Sequence, residues 1–307
     1  MMLERTRDAR PKITPTVPDM ERQISIREVG PRDGLQREAP LDVTKRLSLI
    51  QALVGCGLSA IEVASFVSER SVPAMAGASE LAARLPTSAR CTWWALVPNL
   101  IGARRATEAG IDHVSVTVSA SEEYSRRNVG MSIEESISQA VAISRSVSWV
   151  DVVLSCAFGS PYEGAIDPHT VAALLSQFTG TGASVTLADT TGMATPRRVR
   201  DLVAATGNQV GLHLHDTRGT ALVNAYAALE LGVTRFDTSV GGLGGSPFAE
   251  DSGGNLATED LVYLFEDLGW HTGVDLDLLI TAGERLSDWL GRPLPSRVAG
   301  AELRRKR

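Results

Sequence analysis

Short apolar or β-branched segments alternate along this chain with longer segments whose apolar residues recur at helical spacing. The first kind predicts eight strands, and the second predicts helices of ten or more residues between them. The predicted strands are Ile24–Val29, Ala60–Val63, Thr92–Leu96, His113–Val118, Val150–Cys156, Ser184–Ala188, Val210–His215 and Arg235–Ser239. The predicted helices are Leu41–Gly55, Val72–Leu85, Leu100–Ala109, Ser132–Ser146, Pro168–Gly180, Pro196–Thr206 and Ala221–Gly232.

This alternation predicts the α/β class and, within it, a (β/α)₈ TIM barrel. An open doubly wound sheet is the alternative, but no Gly-x-Gly-x-x-Gly turn follows the first strand. Helical patterns from about Leu256 onward predict a short C-terminal helical extension that covers the barrel mouth. We expect a disordered leader over 1–22, one barrel domain over 23–300 and a basic tail over 301–307.

Composition narrows the class of protein. The chain has 307 residues, of which 43% are hydrophobic and 21% charged, and this is typical of a soluble globular protein that is long enough for one large core. A net charge of −6 gives no reason to expect nucleic acid as a partner, and no apolar run is long enough to span a membrane. The leader has no apolar core and the three cysteines are isolated, so we expect a reduced, cytoplasmic protein.

His213 and His215 are separated by one residue at the end of the seventh predicted strand. Side chains alternate faces along a strand, so both imidazoles point the same way and can share one metal ion. A hydrogen-bonded pair without metal is the alternative for any His-x-His. The position at a strand's C-terminal end favours a ligand pair, because that end of a barrel carries the active site.

Other polar residues follow the remaining predicted strands and should meet on the same rim. They are Arg32, Asp33, Glu62, Asp189, Asn255 and Glu259. Two imidazoles, the Asp33 carboxylate and the Asn255 amide oxygen would form a nitrogen and oxygen ligand sphere that suits Mg²⁺ or Mn²⁺. Zn²⁺ is the competitor, since it also accepts two histidines and a carboxylate.

Five motifs in order resemble those of the hydroxymethylglutaryl-CoA lyase family, and the resemblance runs from about residue 24 to 300. The motifs are Glu28–Gln36, Ile61–Ser68, Cys156–Gly164, His213–Thr217 and Gly254–Asp260. The Asp-Arg-Glu constellation is also similar to the wider group of metallolyase barrels, which includes isopropylmalate and homocitrate synthases and hydroxy-oxovalerate aldolases.

The resemblance implies a Mg²⁺- or Mn²⁺-dependent retro-Claisen cleavage of an acyl-CoA thioester to acetyl-CoA and a 3-oxo acid. It also implies roles for individual residues: metal binding by Asp33, His213, His215 and Asn255, enolate stabilisation by Arg32 held by Glu62, proton transfer by Asp189, and substrate binding by Arg32, Gln36 and Thr190. We expect a homodimer or a higher homo-oligomer.

One position departs from the family. The family's glycine-rich loop after strand eight carries a cysteine assigned to proton transfer, and this chain has Ser246 there. A serine hydroxyl is a much weaker acid than a thiol, so water held by Ser246, or a carboxylate from Glu250 or Asp251, would have to replace it. The change leaves open a different acyl chain on the substrate or a relative that has lost turnover. A separate alternative is an aldolase or Claisen enzyme of the same barrel group that acts on a 2-oxo acid. Arg126–Asn128 is expected in the loop after strand four, where it contacts CoA phosphates or faces solvent.

Overall fold

The computed structural model describes residues 22–87, 90–245 and 254–305, with side chains through residue 302. Within these residues, eight parallel strands pair in sequence order, and the eighth pairs with the first to close a barrel. The strands are β1 (Ser25–Glu28), β2 (Ala60–Ser65), β3 (Thr92–Leu96), β4 (His113–Ser119), β5 (Trp149–Ser155), β6 (Ser184–Ala188), β7 (Gly211–His213) and β8 (Arg235–Thr238). The predicted (β/α)₈ barrel is confirmed, and the open sheet is excluded.

Helices lie between the strands and continue after the last one. They are α1 (Val43–Gly55), α2 (Ala78–Ala83), α3 (Leu100–Glu108), α4 (Glu122–Val129), α5 (Ile133–Ser144), α6 (Pro168–Ser176), α7 (Pro196–Thr206), α8 (Ala221–Leu229), α9 (Thr258–Asp267), α10 (Leu276–Leu290) and α11 (Arg297–Arg305). Several begin at a side-chain cap, as where Asp42 accepts a hydrogen bond from the Lys45 amide. Buried aliphatic side chains fill the space between strands and helices and support the polar rim above them.

The seventh strand is shorter than predicted. β7 ends at His213, and the backbone of His215 instead forms an isolated antiparallel bridge with Asn255. The chain after β8 returns to this edge and takes the hydrogen bonds that a longer strand would have used. The bridge brings His215 and Asn255 next to each other.

Two predictions of local structure were wrong, one of a helix and one of a loop. The single helix predicted over Val72–Leu85 is a 3₁₀ turn at Pro73–Met75 followed by α2, because Gly77 has φ = 74° and interrupts the helix. The loop predicted around Arg126–Asn128 is the helix α4, which Ser121 caps by accepting the Tyr124 amide.

The C-terminal helices lie beside the barrel. α9 is the helix that follows β8, α10 packs against α1 and α9, and α11 packs against α9. The basic tail expected from residue 301 begins inside α11, which runs to Arg305. No helix among the described residues has both the length and the apolar character needed to cross a bilayer.

Candidate active site

A tight turn after β1 carries the first two site residues. The Val29 carbonyl accepts hydrogen bonds from the amides of Arg32 (3.1 Å) and Asp33 (2.7 Å) in one turn of π-helix, Gly30–Gly34. A Cβ atom at Gly30 would lie 2.6 Å from Glu28 Oε1, so only glycine permits this close turn. The turn directs Arg32 and Asp33 into the barrel mouth.

Arg32 is held between two carboxylates. Its Nε donates to Glu62, and its Nη1 donates to Asp33 Oδ1 at 2.7 Å. Glu62 also accepts the Ser115 hydroxyl, so its carboxylate is fixed from both sides. Burial raises the pKa of Asp33, but the Arg32 charge, the two histidines and the hydrogen bond from Asn255 together outweigh it, and the pKa of Asp33 is lowered. The predicted Arg32–Glu62 pairing is present in the structure.

Asp33, His213 and His215 place one ligand atom each within 4.8 Å of the others, and all three residues are buried. The two imidazoles face each other with Nε2 atoms 3.2 Å apart. Burial, reinforced by the adjacent His213, lowers the pKa of His215 to about 4. His215 is therefore neutral at pH 7, as a metal ligand must be.

Asn255 completes this group. Its Nδ2 donates to Asp33 Oδ2 (2.7 Å) and to the Leu243 carbonyl (2.8 Å). Its Oδ1 is buried and has no hydrogen-bond partner within the described part of the chain. A buried acceptor of this kind is costly unless something binds it, so the group fits a divalent cation.

Several of these residues line a cavity of about 680 Å³. They are Arg32, Asp33, His213 and His215. Apolar residues also line the cavity, among them Val72, Met75, Val97, Pro98 and Val129. The cavity therefore offers charged side chains for reacting oxygen atoms and apolar side chains for an acyl or pantetheine chain.

The residues predicted to bind substrate also reach the cavity. Gln36 lines it and donates to Asp33 Oδ1 at 3.0 Å. Thr190 lines it too, and its hydroxyl accepts the amide of Cys156 at 2.9 Å. Cys156 has φ = 58°, which is rare for a residue with a side chain and marks a sharp turn at the rim after β5.

Asp189 directly precedes Thr190 in the sequence and is held by the backbone of its own loop. Its Oδ1 accepts the amides of Met193 (2.7 Å) and Ala194 (3.0 Å), and its Oδ2 is buried without a partner among the described residues. Burial raises the pKa of Asp189 to about 7. Among the residues that the structure describes, the cavity lining includes Thr190 but not Asp189. Ser246, Glu250 and Asp251 lie outside the described residues.

Comparison with known proteins identifies the family. The family model described as HMGL-like matches residues 23–285. The chain belongs to the HMGL-like family. This confirms the resemblance seen in the five motifs.

HMGL-like relatives match almost the full chain. One is a 3-hydroxy-3-isohexenylglutaryl-CoA/hydroxy-methylglutaryl-CoA lyase of Pseudomonas aeruginosa, 40% identical over 93% of this chain and 99% of the relative. Another is an (R)-citramalyl-CoA lyase of Chloroflexus aurantiacus, 41% identical over 91% of this chain and 94% of the relative. The crystal structure of hydroxymethylglutaryl-CoA lyase from Pseudomonas aeruginosa superposes with a TM-score of 0.89 at 40% identity, over 94% of this chain and 99% of that chain.

Sequence reasoning missed several polar groups beneath the HMGL-like site. Arg27, Asp151 and Asp237 are buried in β1, β5 and β8 and contact one another through side chains. The available indication was a charged residue inside each of three predicted buried strands. Glu28 lies in the first motif without a predicted role, yet its buried carboxylate accepts hydrogen bonds from the loops after β1 and β8.

Proposed function

We propose that this protein cleaves 3-hydroxy-3-methylglutaryl-CoA, or a closely related 3-hydroxyacyl-CoA, to acetyl-CoA and a 3-oxo acid. For the parent substrate the second product is acetoacetate. The chain is a carbon–carbon lyase of the HMGL-like family, as its relatives are named. The observation that supports the proposal most directly is the shared position of Arg32 and the Asp33–His213–His215 group on one wall of the cavity.

In this reaction the 3-hydroxyl group loses its proton, and the C2–C3 bond then breaks with its electron pair moving to C2. The enolate of acetyl-CoA that forms is protonated at C2. Arg32 suits the enolate oxygen, because Glu62 and Asp33 hold its guanidinium in one orientation at the cavity wall. A fixed cation needs no reorientation as negative charge develops.

The metal ligands in this proposal are Asp33, His213, His215 and Asn255. When bound, a divalent cation supplies Lewis-acid polarisation of substrate oxygen atoms. We propose Mg²⁺ or Mn²⁺, since the amide oxygen of Asn255 and a carboxylate are hard ligands. Zn²⁺ is the competitor that a metal titration must test.

We assign the hydroxyl proton to Asp189. A carboxyl group with a pKa of about 7 is well matched to proton transfer near neutral pH. Because Thr190 and not Asp189 lines the described cavity, the transfer requires a relay or a small movement of the β6 loop. Gln36 and Thr190 would contact the substrate. Ser246 would take part in proton transfer by holding a water molecule, and Glu250 or Asp251 is the alternative donor.

The test is a coupled assay of acetyl-CoA release by purified protein. The substrates are 3-hydroxy-3-methylglutaryl-CoA, 3-hydroxy-3-isohexenylglutaryl-CoA and citramalyl-CoA, each with Mg²⁺, Mn²⁺, Zn²⁺ or EDTA. Release that depends on added metal is expected for at least one thioester. If EDTA does not affect turnover, the metal is not part of the reaction. If none of the three thioesters is cleaved, the proposed lyase activity is wrong.

Two further measurements separate the alternatives: consumption of a free 2-oxo acid, and binding of metal and thioester. Turnover of a free 2-oxo acid in place of a thioester would favour an aldolase or Claisen enzyme. A protein that binds metal and thioester without turnover would be a drifted relative. The relatives' names differ in the acyl group, so the relative kcat/KM values over the panel identify the preferred chain.

We further propose that the protein is cytoplasmic, with an acyl-CoA thioester as its partner, and that 23–300 form one domain. We also propose a homodimer or a higher homo-oligomer. Light scattering coupled to size exclusion tests the oligomer, because a monomer has a mass of 32.7 kDa.

A further inference from the structure

Beneath the cavity, three charged side chains form a buried cluster inside the barrel, the floor cluster: Arg27, Asp151 and Asp237. Arg27 donates from Nε to Asp237 Oδ1 and from Nη2 to Asp237 Oδ2, both at 2.8 Å. The same Nη2 donates to Asp151 Oδ2 at 2.8 Å. Arg27 therefore holds two carboxylates in fixed orientations.

One of these carboxylates also contacts a proposed metal ligand. Asp237 is in register with Arg27 on one side and with His213 on the other. Residues in register on neighbouring parallel strands present their side chains on the same face of the sheet. Accordingly, Asp237 Oδ2 lies 3.2 Å from His213 Nδ1.

This contact decides which nitrogen of His213 carries the proton. An ionised carboxylate only accepts hydrogen bonds, so Nδ1 must donate to it. The other nitrogen, Nε2, faces His215 and belongs to the Asp33–His213–His215 group. A carboxylate behind a ligating imidazole fixes the tautomer and the ring orientation, and it makes the ligating nitrogen more basic.

We infer that Asp237, oriented by Arg27, is a positioning residue that holds His213 in its metal-binding tautomer. This inference rests on the metal site proposed above. Asp151 has no such contact: it accepts hydroxyl hydrogen bonds from Ser184 (2.6 Å) and Thr186 (2.8 Å) in addition to Arg27. The two carboxylates of the floor cluster thus share Arg27, but only Asp237 contacts a histidine of the site.

That difference supplies a matched pair of variants. Asp237→Asn and Asp151→Asn each remove one negative charge from Arg27 and leave it the other carboxylate. Mn²⁺ binding to metal-free protein is measured by calorimetry for both variants and the wild type. Asp237→Asn should weaken Mn²⁺ binding by about 10- to 100-fold, the usual cost of losing such a carboxylate, and Asp151→Asn should change it by less than about 3-fold.

A second measurement needs no variant. Nitrogen-15 NMR of histidine-labelled, metal-free wild-type protein reports which ring nitrogen of each of the five histidines carries hydrogen. His213 should carry it on Nδ1, and its signal is assigned with His213→Gln. A proton on Nε2 alone would overturn the inference even if a variant failed to fold.

The outcomes separate the inference from the function it rests on. No Mn²⁺ binding by the wild type overturns the metal site and the inference together. Wild-type binding with an unchanged Asp237→Asn variant, or with equal losses in both variants, overturns the inference alone and leaves the proposed lyase intact.

Discussion

Glu28 should make the stability of this protein depend on pH, and Glu28→Gln should remove the part of that dependence that Glu28 contributes. Its carboxylate is fully buried and accepts hydrogen bonds from the amides of Gly30 (2.7 Å) and Val240 (2.8 Å) and from the Thr258 hydroxyl (2.6 Å). Burial raises the pKa of Glu28 from 4.5 to about 7, although these hydrogen bonds lower it. The folded protein therefore keeps this proton over a range in which the unfolded chain has lost it.

The sign and size follow from proton linkage. Below pH 4.5 both states hold the proton, and stability is unaffected. Between pH 4.5 and about 7 the unfolded state alone ionises, so the free energy of unfolding falls as pH rises. At about 1.4 kcal/mol per pH unit, the loss amounts to about 3 kcal/mol by pH 7.

Urea unfolding of the wild type and Glu28→Gln at pH 5, 6, 7 and 8 tests this. Glutamine keeps the size and one acceptor oxygen but does not titrate, so the difference between the two curves isolates Glu28 from other groups. The wild type should lose about 2 kcal/mol more than the variant between pH 5 and 7, because part of the change already occurs below pH 5. Glu108→Gln, on the exposed side of α3, serves as the control and should follow the wild type. Parallel curves for wild type and Glu28→Gln would refute the reasoning.

The remaining predictions concern the proposed site. His213→Ala or His215→Ala should lower Mn²⁺ affinity by at least about tenfold with little change in unfolding temperature, and wild-type metal stoichiometry in either variant would contradict the assignment. Arg32→Lys keeps the charge but loses the planar fork, so kcat should fall far more than metal affinity does, and an unchanged kcat would exclude Arg32 from the reaction. Asp189→Asn should reduce kcat by about 10²-fold or more, and its pH–rate profile should lose the inflection near pH 7. An unchanged profile would mean that Asp189 only forms hydrogen bonds that hold the β6 loop. Ser246→Cys should raise kcat and add an inflection at the pKa of the thiol, whereas no change would mean that another group delivers the proton.

The barrel and its rim were predictable because both follow from regular patterns. Strand and helix alternation gave the fold, and the position of a residue after a strand placed it on the rim. Arg32, Asp33, His213, His215 and Asn255 therefore meet as expected. Their arrangement within the rim needed the structure, since the π-helical turn and the short β7 depend on contacts between distant segments.

The features that sequence analysis missed do not follow from a regular pattern. α4 was missed because eight mostly polar residues give little periodicity, although Ser121 and Gly130 are typical start and stop signals. Asp237 was missed because strand periodicity predicts that a residue is buried, but it does not predict which charged side chain pairs with a buried carboxylate. Its partners lie 210 and 24 positions away in the sequence, at Arg27 and His213.

The hydrogen bond between Asn255 and Asp33 joins residues 222 positions apart, and it lies beside the seam where β8 closes on β1. The proposed ligands thus come from the first, seventh and last segments of the barrel, so no partly folded chain with an open seam contains the whole set. A cation that binds only the closed form stabilises it by mass action. Bound metal should therefore stabilise the pairing of β8 with β1. It should slow hydrogen exchange of the β1 and β8 amides more than that of amides in β4 or β5, on the far side of the barrel.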